Sequence, residues 1–333
     1  MYNADAVDSL ANTRARRRAA GPALVATIGL VILSGTVAAE EGGSGHYLPG
    51  SMASFIDGVP PTETFLMRLN VIYYKGSVEA NEPLPIAGVS TLGAKAASWG
   101  YGLTALWRPA LDLGKRWSYA MSATIPYLLM DVDAAVISTP GSFARSSSTN
   151  GLGDIVLMPL MLNYNVNPDL NVNFRVGAYA PTGNYQAGRL ANTGKNFWTI
   201  EPVLGLMYFG QKDGIEASAF IGADFNSENK DTNYTSGTQF HIDGTLAQHF
   251  PLFGGLAGAG VNAYYYQQLT GDSGSGATLG DFKGRTVGVG PVVSYVDKIG
   301  SHDALVELKW LHELETENRL KGDIVWLKAV YKF

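Results

Sequence analysis

From residue 62 onward, apolar and polar positions alternate with a period of two, in segments bounded by Gly, Asn, Asp and Pro. In 169–182, Leu170, Val172, Phe174, Val176 and Ala178 share one face, while Asn171, Asn173, Arg175 and Gly177 share the other. In 303–315, Ala304, Val306, Leu308 and Trp310 oppose Glu307, Lys309 and Glu313. In 322–333, Val325, Leu327, Ala329, Tyr331 and Phe333 oppose Lys328 and Lys332. Twelve such strands are predicted: 63–75, 98–109, 117–130, 152–164, 169–182, 196–209, 214–226, 237–250, 256–268, 285–296, 303–315 and 322–333. Each supplies the ~9–11 residues that a tilted strand needs to cross a bilayer. A soluble β-sandwich alternates in the same way, so this pattern leaves two architectures open.

Connection lengths separate them. The gaps 76–97, 131–151, 183–195, 227–236 and 269–284 are long, whereas 110–116, 165–168, 210–213, 251–255 and 297–302 are short; only 316–321 departs from the alternation. The short ones carry tight-turn residues, as in Asn167-Pro168-Asp169 and Lys212-Asp213-Gly214. A transmembrane barrel puts short turns at its periplasmic end and longer loops outside, and a sandwich has no reason to. The expected fold is therefore all-β, a transmembrane, antiparallel, up-and-down β-barrel of about 12 strands over residues 62–333.

The N-terminus reads as an export signal. Arg14, Arg16, Arg17 and Arg18 precede an uncharged stretch from Ala19 to Ala39 that ends in small residues. A basic region, an apolar region and a small-residue cleavage site are the secretory pattern, so residues 1–39 are expected to be cleaved. Residues 40–61 are left as either a periplasmic tail or a plug in the lumen. At up to ~3.3 Å per residue the segment is long enough to reach back through a bilayer.

Composition narrows the chemistry. The chain has 333 residues, 16% of them charged, and no cysteine, which excludes a disulfide scaffold, a thiolate zinc site and a cysteine nucleophile. A net charge of -5 argues against nucleic acid as a partner. There is no phosphate loop and no HExxH. Asp272 and Asp281 in a Gly-rich loop are too little for a metal site, so neither a cofactor nor a metal is assigned.

Charge on the lipid face costs ~2–4 kcal/mol near the midplane for a basic residue, so strand charges are expected to face the lumen. By parity these are Arg68, Arg175, Glu201, Glu216, Asp224, His241, Asp243, Glu307, Lys309 and Glu313. Two roles are open to them: an internal ion-pair network that stiffens the barrel, or the lining of a solute path. Trp99, Tyr101, Trp107, Trp117, Tyr119, Tyr208, Trp310 and Tyr331 cluster toward strand ends, as an interfacial girdle does. In the run Tyr264-Tyr265-Tyr266, alternate rings point to opposite faces, which makes Tyr264 and Tyr266 candidates to stack on an aromatic solute.

Several short motifs carry a resemblance. They are His46-Tyr47-Leu48-Pro49-Gly50, Gly151-Leu152-Gly153-Asp154, Ala180-Pro181-Thr182-Gly183, Phe240-His241-Ile242-Asp243, the stretch from Gln267 to Gly274, Gly290-Pro291, and the stretch from His312 to Arg319 followed by Lys321-Gly322. In order and spacing they resemble the outer-membrane family labelled for the meta-cleavage pathway of phenol degradation, over about residues 46–333. The resemblance implies a Gram-negative outer-membrane channel for passive uptake of small hydrophobic compounds, aromatic ones included, with outer-membrane lipid and the solutes as partners. It also implies that the barrel-assembly machinery reads the final strand, with Tyr331 and Phe333 as the signal.

An enzyme is the alternative. Resemblance to the twelve-stranded outer-membrane phospholipase requires His-x-Ser, and none of the five histidines has it. The omptin proteases use an Asp pair and a His-Asp pair at the external mouth. Asp131-Val132-Asp133 and His241-Ile242-Asp243 supply the residue types, but the second pair is reversed in order. A structural or adhesive barrel is the third class, with the long external loops serving recognition.

Overall fold

The computed structural model describes residues 43–138, 141–279 and 282–333; the export signal expected at 1–39 lies outside them. Thirteen strands run β1 (Thr64–Ile86), β2 (Val89–Arg108), β3 (Trp117–Ser138), β4 (Gly141–Leu152), β5 (Ile155–Asn165), β6 (Leu170–Ala180) and β7 (Thr199–Phe209). They continue as β8 (Ile215–Asn226), β9 (Gln239–Leu252), β10 (Gly255–Gln268), β11 (Arg285–Ile299), β12 (His302–Glu317) and β13 (Lys321–Lys332). All pairings are antiparallel, and β1 pairs with both β2 and β13, which closes the sheet on itself. β4 pairs with β3 from Tyr127 to Ser138, and β5 pairs with β3 from Trp117 to Thr124. The two are one stave broken at Gly153-Asp154, so the wall is a closed barrel of 12 staves.

The first two long connections expected from sequence are continuations of strands. β1 and β2 pair as far as Ile86 and Val89 and turn at Ala87-Gly88, both at positive φ. β3 and β4 likewise extend as a hairpin to Ser138 and Gly141. Their inner faces carry Leu84, Ile86, Ala94, Val132, Ala134 and Val136, which pack with Leu190, Ala191 and Phe282 from the loops after β6 and β10. This small core packs the inner faces of the extensions against the loops.

Each stave has two faces, as its alternation dictates. One exposes Trp99, Leu103, Trp107, Phe174, Leu246, Val261 and Trp310, each between 43% and 64% accessible. A band of that kind is stable facing hydrocarbon and would promote aggregation in water. The other face is buried against residues 43–61, which pass inside the barrel. Met52, Phe55, Ile56 and Val59 of this segment pack with Leu66, Met161, Met207, Leu256, Leu305 and Val330 from around the wall.

Candidate functional site

A 3-10 turn, Phe55–Asp57, holds the centre of the inner segment. The Asp57 carboxylate accepts from the backbone N–H groups of Ala53 and Ser54 at 2.9 and 3.3 Å, which shapes the turn. Its oxygens also meet the Lys328 ammonium at 2.8 Å and the Arg68 guanidinium at 2.8 Å. Burial alone would raise this carboxyl, but Lys328 and Arg68 outweigh it and hold Asp57 well below the usual carboxylate range. Glu307 adds a contact to Lys309 at 3.1 Å and accepts from the Ser54 hydroxyl. Arg175 donates to the Asp57 carbonyl at 3.1 Å and is aligned by Asn173 at 2.5 Å.

The segment is held at other levels by other candidate residues. Glu216 accepts from the Phe55 N–H at 2.7 Å and from Ser218 at 2.9 Å, and bonds His249 at 2.8 Å. Asp243 accepts from the Tyr47 hydroxyl and the Gly50 N–H, both at 2.6 Å. Tyr47 stacks on His241 with centroids 4.0 Å apart, and lies parallel to Tyr266 at 5.7 Å. Glu313 accepts from Tyr264 at 2.8 Å and from the Gly322 N–H at 2.6 Å, closing the β12–β13 connection. Glu201, Asp224 and His241 gather on β7, β8 and β9, with Tyr179 donating to Glu201 at 2.9 Å.

The candidate charges therefore lie on the inner face, and all but Arg68 are almost fully buried. Most of them bond the inner segment or one another. Tyr264 and Tyr266 point inward and Tyr265 is half-buried between them. On the last strand, Tyr331 is half-buried and Phe333 is exposed, its N–H donating to the Phe65 carbonyl at 3.0 Å.

Sequence reasoning missed Asp57, His46, Asp154 and Lys328 as site residues. His46 bonds Asp154 at 3.0 Å and Thr199 at 2.7 Å, so the inner segment is also tied to the broken stave. Asp154 in turn accepts from the Gly183 and Lys195 N–H groups of the β6–β7 loop at 2.8 and 2.6 Å. The signal was present: His46 and Asp154 fall in two of the motifs, and Lys328 sits on the polar face of the last strand.

Beside the inner segment is a cavity of about 380 Å³. Its surface is mainly apolar, with Ile72, Leu106, Leu128, Met130, Met158 and Trp326, while Arg68, Asp154, Arg175 and Lys195 bring charge to its lining.

The comparisons with known proteins fit this architecture. A family model described as "Putative MetA-pathway of phenol degradation" matches residues 80–329. The chain belongs to that family. The fold is shared with the COG4313 outer membrane channel from Pseudomonas putida F1, at a TM-score of 0.65 and 17% identity, covering 86% of this chain and 100% of that one. A FadL homologue from Pseudomonas aeruginosa aligns at a TM-score of 0.40 and 8% identity, over 81% of this chain and 89% of that one. No curated protein matches the chain.

The protein does not assemble the protease-like pairing that its sequence offers. Asp131 and Asp133 lie on the exposed face of β3, where Asp131 accepts from Ser148 at 2.5 Å. His241 and Asp243 are on the buried face of β9. The wall of the barrel stands between the two pairs.

Proposed function

We propose that this protein is an outer-membrane channel for passive uptake of small hydrophobic compounds, aromatic ones included. The observation that carries the reading is the cavity of about 380 Å³, mainly apolar in its surface, between the inner segment and a wall made by β1–β3, β5, β6 and β13. Its size and its mainly apolar surface suit one small hydrophobic molecule. Met130 and Met158 give that lining an adaptable surface, and Trp326 offers an aromatic one. Residues 43–61 act in this reading as a plug that denies water and sugars a continuous path, while a solute displaces side chains around the cavity. The final strand, with Tyr331 and Phe333, serves as the signal for the barrel-assembly machinery.

Binding to the purified, refolded protein tests the reading. A naphthalene-sized fluorescent probe should bind with saturation, and phenol should displace it. Leu106→Trp and Met158→Trp, which fill the cavity, should weaken probe binding at least tenfold. Equal binding by these variants would place the probe on the outer apolar band and remove the cavity from the account.

A further inference from the structure

We propose that Glu201, Asp224 and His241 form a binding site for one divalent transition-metal ion, zinc or a close relative, set into the inner wall near its external end. One ligand atom from each residue lies within 4.8 Å of the other two. His241 Nε2 is 3.1 Å from Glu201 Oε1 and 3.8 Å from Asp224 Oδ1. A tetrahedral ion with bonds of about 2.0–2.2 Å holds its donors roughly 3.3–3.6 Å apart, a value that lies between the two His241 distances.

The alignment points the same way. Although His241 Nε2 and Glu201 Oε1 are close enough to bond, neither atom makes a hydrogen bond, and His241 is only 1% exposed. A buried imidazole without a hydrogen bond, with its nitrogen directed at two carboxylates, is an arrangement that a cation would complete. An ion between the three donors satisfies the ring and neutralises the carboxylates, which are themselves fully buried.

The surroundings fix these ligands as outer partners fix those of a metal site. Tyr179 donates to Glu201 Oε2 at 2.9 Å, leaving Oε1 turned toward His241. Tyr47 stacks on the imidazole from the inner segment. Across the β8–β9 ladder His241 faces Gly222, where any Cβ would lie 2.4 Å from the ring. A mixed nitrogen and carboxylate set suits zinc, manganese or cobalt, whereas calcium and magnesium prefer oxygen alone.

The test uses the full mature barrel, stripped with a chelator and dialysed against Zn²⁺, Co²⁺ or Ca²⁺ in turn. About one Zn²⁺ per chain should be retained, and Co²⁺ should give visible absorption of a low-coordinate site, while Ca²⁺ should wash out. Glu201→Gln, Asp224→Asn and His241→Gln should each weaken retention at least 100-fold. His312→Gln, at the exposed pair with Asp323, should leave it unchanged. Heat-modifiable gel migration verifies folding of each variant. If a variant does not fold, the wild type decides alone. No Zn²⁺ retained by the wild type, or full retention by His241→Gln, overturns the proposal and leaves an imidazolium ion-paired with two carboxylates.

Discussion

Lys328 places its ammonium 2.8 Å from both carboxylate oxygens of Asp57, across 271 positions of sequence. The last strand of the barrel is thereby fastened to the segment that precedes the first. Lys328 also donates to the Ser51 carbonyl at 2.9 Å, so one side chain grips both sides of the 3-10 turn.

Removing Lys328 takes from the buried Asp57 carboxylate one of the two cations it contacts and leaves it paired with Arg68. Lys328→Met should destabilise the folded barrel by about 3–5 kcal/mol, and Asp57→Asn in the same chain should recover part of that loss. Urea unfolding of the single and double variants, followed by tryptophan fluorescence, measures both.

Acid should act on the same contact. Because the folded-state value of Asp57 lies below its ordinary 3.8, its stabilisation is fully present above that pH and is lost as pH falls from there toward the folded value. Single-channel conductance should hold steady from pH 7 to about 4 and rise below that as the segment loosens. Asp57→Asn should abolish this acid step.

Gly50 sits at φ +80, and a Cβ there would lie 3.0 Å from Leu311 and 3.1 Å from the Trp326 indole nitrogen. Gly50→Ala is expected to cost about 1–3 kcal/mol and to disturb the Trp326 hydrogen bond to the Pro49 carbonyl. A shift of Trp326 emission together with a lowered melting temperature would register this, and Gly114→Ala, in a turn with open space around it, should not shift the emission.

Leu103 is 49% accessible on the outer face of β2. Leu103→Arg should cost about 2–4 kcal/mol in the membrane-inserted state, and the same change close to the bilayer surface should cost much less. Reversible folding into bilayers of known thickness distinguishes the two positions.

Much of this architecture is legible in the sequence, because strand faces follow directly from a period of two. Val176 and Arg175 separate by parity, and so do Leu308 and Lys309. What escapes is what depends on partners far away in sequence. The extensions of β1–β4 read as loops because their apolar inner face is short, and Leu190 and Phe282, which cover it, come from connections. The break at Gly153-Asp154 depends on Asp154 bonding His46 and two backbone groups beyond β6. Asp57 looks like any loop acid until Lys328 and Arg68 converge on it. The grouping of Glu201, Asp224 and His241 needs three strands in register, which no motif spacing encodes.

The most direct measurement of the central claim is solute entry into proteoliposomes carrying the refolded barrel, comparing phenol-sized aromatics with sugars of similar size. The account predicts faster entry of the aromatics, reduced by Leu106→Trp, and sugar entry that becomes appreciable only when residues 43–58 are deleted. Equal entry of sugars and aromatics through the intact barrel, or unchanged aromatic entry in Leu106→Trp, would contradict it.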